Sequence, residues 1–359
     1  MNYFDTYASN TLAGSSNQYF FTSDKSVRKG RVFYKIFDKG EYNYSFLFTN
    51  TIDSTYGDGS KSHKNLLCKE WTLEGLRVAV CEKIDNSIPE TAFKEVTFDG
   101  KPSKNVSSGE VFYSDPVNLS ASEYICLEIT FKGEMIPYHE EIIISTFIEN
   151  DGAWISDRRM PVPAMVGCDR KVRKRIAFLG DSITQGSGTE KDSYAHWNAV
   201  FAQISCNVFS FWILGIGYGR ASDASTDGAW LFKAKQNDVV FVCFGVNDIL
   251  FGAEEEQICS DLKTIVLKLK EAGLTVVLQT VPPFDYTNEN IQKWKNVNAY
   301  IKNELVPLID AFFDNGPVLQ KSENEPHSAR YGGHPNSEGC SKWAEALFDE
   351  IKAFMENLK

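Results

Sequence analysis

Two hydrophobic rhythms divide the chain. From Tyr19 to about Asn150, short runs rich in Val, Ile, Tyr, Phe and Thr alternate with turn residues. The candidate strands are Arg31–Phe37, Tyr42–Asn50, Leu76–Cys81, Phe93–Phe98, Glu110–Ser114, Glu123–Phe131 and Glu141–Phe147. Asp38-Lys39-Gly40, Asp99-Gly100 and Lys132-Gly133 punctuate them, because Gly, Asp and Lys accept turn backbone better than β-branched residues do. No stretch of useful length repeats apolar residues at the helical period. The spacing predicts an antiparallel, all-β sandwich, jelly-roll-like in type. Ser54 to Asn65, with its Gly, Ser, Asp and Lys, reads as an exposed loop.

After Lys174 the pattern changes. Ile176–Leu179, Asn207–Leu214, Asp238–Phe244 and Leu274–Thr280 are nearly continuous apolar runs, as expected of parallel strands buried on both faces. Helical segments lie between and after them, near Tyr194–Ile204, Ala224–Ala234, Glu256–Ala272, Asn288–Phe313 and Ser337–Leu358. In Glu256–Ala272, Ile258, Leu262, Ile265, Val266 and Leu269 share one face before an Ala-Gly stop. Strand–helix alternation predicts an α/β domain with a parallel sheet between helical layers. Residues 151–174 carry Pro161, Pro163 and Gly167 and no clear period. The expected division is a β-sandwich at 1–150, a linker at 151–172 and an α/β domain at 173–359.

The chain has 359 residues, 43% hydrophobic and 24% charged, which supplies core material for two domains. Its net charge of −11 argues against a nucleic-acid partner, since a phosphate backbone needs a basic surface. The short basic cluster Lys171 to Arg175 reads as a solvated linker end. Met1 to Ser16 lacks the basic start and apolar core of a secretory signal, and no run approaches the roughly 20 apolar residues of a membrane span. Cysteines at 68, 81, 126, 168, 206, 243, 259 and 340 form no CxxC pair, and Cys206 and Cys243 sit in apolar runs. Reduced, mostly buried thiols in a cytoplasmic protein are expected, with no membrane partner. No Cys/His/Asp spacing suggests a metal, and no cofactor is expected.

Four stretches carry candidate chemistry, each where a strand ends or a helix begins. Arg175 to Leu179 is apolar and breaks into Gly180-Asp181-Ser182, which offers a hydroxyl at a strand's carboxyl end, where open α/β sheets bind ligands. A serine there is more often a helix cap than a nucleophile. As a nucleophile it needs a base and oxyanion donors from other strand ends. Gly215-Ile216-Gly217-Tyr218-Gly219 lets backbone approach a ligand closely. In Gly245-Val246-Asn247-Asp248, Asn247 is an uncharged amide donor, and Asp248 is given a structural, capping role. Tyr331-Gly332-Gly333-His334-Pro335 puts a histidine in a glycine-rich loop just before a helix. His334 is therefore the best base among the five histidines, ahead of His63, His139, His196 and His327.

In this order the four stretches resemble the SGNH hydrolases, or GDSL-type esterases. The resemblance covers about Arg173 to Lys359 and implies a flavodoxin-like α/β/α hydrolase domain. It implies Ser182 as nucleophile and His334 as base. The implied oxyanion hole is made by the Ser182 and Gly219 N–H groups and the Asn247 amide, with Gly217 second to Gly219. One position departs from the family: its triad acid usually lies three residues before the histidine, where this chain has Tyr331. A main-chain carbonyl of Tyr331–Gly333 is the expected substitute, ahead of Glu325 or an acid distant in sequence. In layout the chain resembles the two-domain acetyl esterases of carbohydrate esterase family two.

The expected activity is hydrolysis of short acyl esters, O-acetyl first, on a small-molecule or oligosaccharide substrate. Trp212, Tyr218, Trp230, Phe284 and Tyr286 are candidates to stack on sugar rings. Two rivals remain: a thioesterase or lipase of the same superfamily, and a non-catalytic carbohydrate-binding protein with a degenerate esterase domain. The oligomeric state is not encoded in these patterns.

Overall fold

The computed structural model describes residues 2–22, 25–54, 67–140, 143–205 and 207–358. The chain forms two compact units, one of Met1–Ile52 with Asn65–Lys171 and one of Val172–Lys359 with Asp53–Lys64. Most of the expected 54–65 loop and the start of the expected strand Glu141–Phe147 lie outside the described residues.

The first unit is mostly antiparallel β, with a short helix, Tyr3–Thr6, a tight turn, Glu90–Ala92, and two larger sheets beside the small pair Tyr19–Thr22 and Met135–Tyr138. One sheet runs Ala8–Ser9, Met165–Cys168, Gly40–Thr49, Val111–Tyr113, with Val117–Ala121 also paired to Gly40–Thr49. The other runs Ala153–Ser156, Thr146–Asn150, Arg28–Lys35, Tyr124–Gly133, Trp71–Cys81, Lys94–Val96, with Lys104–Val106 also on Trp71–Cys81. The sheets share a core: Phe112 of the first lies 6.3 Å from Trp71 of the second, and Phe98 packs edge-on to Phe112. This is the sandwich expected from the strand pattern. The linker reading of 151–172 needs correction, because Ala153–Ser156 and Met165–Cys168 are strands of these two sheets. Their shortness, and the prolines between them, hid a period-2 signal that needs several residues to register.

The second unit holds a parallel sheet whose strands we number in chain order. They are β1 (Lys174–Gly180), β2 (Phe209–Gly215), β3 (Val239–Cys243), β4 (Thr275–Gln279) and β5 (Ala311–Phe313), in the spatial order β2-β1-β3-β4-β5. That order is the flavodoxin-like doubly wound one, whose ligands bind beyond the strands' carboxyl ends at the β1/β3 switch point. The register brings those ends level, since Gly180 stands opposite both Gly215 and Cys243. The loops after β1, β2 and β3 therefore leave the sheet at one height.

Strand β1 is anchored by Phe178, fully buried against Trp197, Phe201, Phe211 and Phe241 at ring separations of 5.1–6.1 Å. Burying a phenylalanine stabilises by about 1.5–3 kcal/mol, so this strand is a stiff mount for the loop at its carboxyl end. On one side of the sheet Trp197, opening the helix Trp197–Ile204, stacks on Trp343 of the helix Ser337–Glu350 at 4.7 Å.

Three helical expectations are revised. Asn288–Phe313 is not one helix: Glu289–Tyr300 continues as a wide turn Ile301–Leu305 and a tight one Val306–Leu308, and the chain then enters β5. Pro307, which cannot continue a helical ladder, marks the break. Ala224–Ala234 is split into Ala221–Ala224 and Ala229–Ala234 around Gly228, and the last helix breaks at Ile351. The cysteines expected to be buried include Cys126, Cys168, Cys243 and Cys340, which are; Cys206 lies outside the described residues. Among the described residues no helix is long and apolar enough to cross a membrane.

Candidate active site

Ser182 opens a single helical turn, Ser182–Gln185, directly after β1. Asp181 caps it, its carboxylate accepting from the Ile183 N–H at 2.9 Å, and Gly186 closes it in the left-handed region at φ 116°. Gly180 is required by space, since a Cβ there would come within 2.6 Å of the Cys243 carbonyl oxygen. The chain thus turns sharply enough to present a hydroxyl at the edge. Ser182 is 7% exposed, and its Oγ lies 2.8 Å from Nε2 of His334.

His334 comes from the other end of the unit. A hairpin, Gln320–Ser322 with Glu325–Ala329, leads into a turn that carries it. The helix Ser337–Glu350 follows, capped by the Asn336 side chain, which accepts from the Gly339 N–H at 2.9 Å. The imidazole is solvent-exposed, with the Phe284 ring edge-on to it at 5.2 Å. The loop backbone rests on the serine loop: a Cβ on Gly188, at φ 99°, would meet the His334 carbonyl oxygen at 2.6 Å.

Two of the expected substitutes for a triad acid have partners of their own, and the Tyr331 carbonyl keeps a second lone pair. The Tyr331 carbonyl accepts from the Asn336 N–H at 3.2 Å. Glu325 pairs with Lys321 at 2.7 Å on the hairpin.

Gly219 and Asn247 meet each other. Asn247 sits in the turn Val246–Leu250 after β3, entered through Gly245 at φ 120°. Its Nδ2 donates to the Gly219 carbonyl at 3.0 Å. The Gly219 N–H donates to Ile216 O at 3.1 Å, closing a turn in which Tyr218 adopts the left-handed conformation at φ 58°. The Ile216 N–H in turn donates to Gly180 O at 3.2 Å, which ties this loop to the serine loop.

Two buried carboxylates lie behind these loops. Burial pushes Asp181 up to about 7, and the nearby Asp248 raises it further. Burial also pushes Asp248 up to about 6. Sequence reasoning gave Asp248 a cap, but the turn it caps is Ala221–Ala224, 27 residues away, not its own. The role of Asp181 was missed, although an acidic residue just before a strand-to-helix turn is an N-cap signal.

The raised Asp181 makes stability depend on pH. Its ordinary value is 3.8, so between about pH 4 and 7 the folded chain holds a proton that the unfolded chain releases. Its contribution is full below that window and is lost as pH rises through it. Asp181→Asn, which keeps a capping oxygen, is expected to be more stable relative to wild type at pH 7.5 than at pH 5, by on the order of a few kcal/mol. Urea midpoints at the two pH values measure this, and a pH-independent difference would contradict it.

Of the aromatic candidates, Trp212, Trp230 and Tyr286 are 2%, 1% and 2% exposed and belong to the core. Tyr218 and Phe284 keep partly exposed faces. Sequence reasoning missed Phe251, which is 43% exposed and 6.2 Å from the Tyr218 ring. Its place just after the Asn247 turn was the available signal.

Residues 178–341 match the model of the GDSL-like Lipase/Acylhydrolase family. No curated protein matches the chain. Similar solved structures include a protein of the G-D-S-L family from Desulfitobacterium hafniense DCB-2, at 17% identity and TM-score 0.42 over 48% of this chain and 97% of that one. A GDSL-like lipase from Bacteroides thetaiotaomicron VPI-5482 is similar at 19% identity and TM-score 0.39, over 52% and 90%. An acetylxylan esterase from Geobacillus stearothermophilus is similar at 17% identity and TM-score 0.39, over 50% and 95%.

Proposed function

We propose that this carboxylic-ester hydrolase, whose residues 178–341 form a GDSL-like lipase/acylhydrolase domain, is a serine esterase removing short acyl groups, O-acetyl above all, from a carbohydrate. The 2.8 Å hydrogen bond between Ser182 Oγ and His334 Nε2 carries the reading. Ser182 attacks the ester carbonyl as His334 takes its proton, and His334 then protonates the leaving alcohol. The same nitrogen next deprotonates a water, which attacks the acyl-enzyme and frees the acid.

Three donors meet the oxyanion. The Ser182 N–H begins a helical turn and so has no intrahelical acceptor. The Asn247 amide spends one hydrogen on Gly219 O and has a second to give. The Gly219 N–H donates to Ile216 O here, and would turn or bifurcate toward the oxyanion as charge develops. Losing one such donor costs about 3–4 kcal/mol in comparable sites. Serine and histidine are the pair that moves the proton, and no carboxylate stands at position 331 of the sequence to take the usual acid's place.

Substrate size follows from what surrounds the loops. No long apolar segment lies between the motifs to close over an acyl chain, whereas Tyr218, Phe251 and Phe284 offer aromatic faces for a sugar ring. Across p-nitrophenyl acetate, butyrate and octanoate, kcat/KM is expected not to rise by as much as about 10-fold, each added methylene being worth little in an open site. Acetate should be released from acetylated oligosaccharides. A preference for octanoate, or for acyl-CoA over both, would replace this reading with the lipase or thioesterase one.

A further inference from the structure

We infer that Asp248 is a positioning residue for the oxyanion hole, holding the loop that presents Gly219 in the geometry the transition state needs. The inference rests on the serine-esterase reading above. Asn247 and Asp248 are consecutive in one short turn, and both side chains reach back to the same stretch of the preceding loop. Asn247 Nδ2 donates to Gly219 O at 3.0 Å, and Asp248 Oδ2 accepts from the Ala221 N–H at 3.1 Å. Adjacent side chains therefore grip the loop by an acceptor and a donor placed two residues apart.

The grip meets a need of the turn that follows Gly219. The turn Ala221–Ala224 has four residues and receives no side-chain cap from Arg220, its N-cap residue. Its first N–H groups depend on an acceptor from outside, and the Asp248 carboxylate supplies one to Ala221 and one to Ser222. Asp248 spends none of this on its own turn, which Gly245 enters with no side-chain cap. On the other flank, a Cβ at Gly219 would lie 2.6 Å from the Trp230 ring, so the main chain is already pressed against the core there. Between that wall and Asp248 the Gly219 backbone has little room to shift, so its N–H, which donates to Ile216 O, stays at the edge where the oxyanion would form.

Asp248 is 1% exposed. It acts through the Gly219–Ser222 backbone and does not itself meet the ester. Burial raises its proton affinity, so the charged form is held against a cost that an apolar residue would not carry. Oxyanion contacts strengthen only as charge develops, so a loosened loop lowers kcat and leaves KM nearly unchanged.

The test is steady-state hydrolysis of p-nitrophenyl acetate by the full chain. Asp248→Ala is expected to lower kcat on the order of 10- to 100-fold, below the full loss of a donor, with KM within about 2-fold. Asp248→Asn keeps an oxygen that can accept from Ala221 and should recover most of that loss. If Asp248→Ala does not fold, Ala221→Pro removes the same hydrogen bond from the donor side without emptying the buried site. Proline suits the first position of a helical turn, and the same loss of kcat at constant KM is expected. Wild-type kcat in whichever of the two variants folds, or an Asp248→Asn no better than Asp248→Ala, would overturn the role. Ser182→Ala run alongside separates the two claims. Full activity there overturns the serine-esterase reading itself, whereas an inactive Ser182→Ala beside an unimpaired Asp248→Ala overturns only the positioning role.

Discussion

Ser182→Ala and His334→Ala should each lower kcat on p-nitrophenyl acetate by about 10⁴- to 10⁶-fold, and the double variant should lose no more than either alone. On the proposed mechanism the 2.8 Å bond makes one functional unit of two groups, because a nucleophile and its base are not independent. Without Oγ there is no acyl-enzyme; without Nε2 the hydroxyl keeps its proton at neutral pH. What remains is the stabilisation offered by the oxyanion donors. Tyr331→Ala tests the dyad from the side. Its carbonyl accepts from Asn336 and its ring packs beside Gly339, where a Cβ would come within 2.7 Å of the ring's Cγ. Only the ring is lost in the variant, so the activity loss should be far smaller than for His334→Ala. Losses of equal size would mean that the Tyr331 side chain itself supplies what the missing aspartate would have done. Losses in the single variants that multiply in the double variant would show that the two residues do not work as a pair.

The largest structural effect is expected at Gly215, the last residue of β2. A Cβ there would lie 2.1 Å from the Gln185 nitrogen and 2.4 Å from the Thr184 carbonyl carbon. These are backbone atoms of the turn that begins with Ser182, so no side-chain rotation relieves the clash. Gly215→Ala should cost about 3 kcal/mol or more, at the severe end of overpacking, and any folded fraction should have a displaced serine and little activity. Gly75→Ala is the matched control. Nothing lies within 4 Å of its Cβ position, so its cost should stay within about 0.5 kcal/mol. Urea midpoints and p-nitrophenyl acetate turnover read both effects. A Gly215→Ala variant with wild-type stability would show that the close approach of strand and turn is not needed.

The parallel sheet and the sandwich were legible because their strands are long enough to show a period. Phe209–Gly215 is buried at every position, and Arg28–Lys35 and Gly40–Thr49 are bounded by turn residues. Strand β5 was not, because Ala311–Phe313 is three residues long and follows a helical pattern that its apolar side chains extend. The loops that carry Ser182, Asn247 and His334 stood out in the sequence because glycine marks each one: Gly180, Gly245 and the Gly332-Gly333 pair precede the proposed site residue at a turn. Hydrogen bonds that cross between loops left no such mark. Nothing local to Ala221 announces that Asp248 will accept from it, and nothing near Tyr331 announces that its carbonyl is needed by Asn336. Such partners are chosen by the sheet order, which brings distant segments to one edge.

The same dependence sets when activity arises. Ser182 and His334 are 152 residues apart, with four of the five parallel strands completed between them. Contacts that close so large a loop form late, after local helices and neighbouring strands. A chain emerging from the ribosome could therefore finish β1, with its serine already set in a capped turn, and still be chemically inert. Hydrolysis begins when the final loop docks against Gly188, so the first turnover reports completion of this unit of the chain.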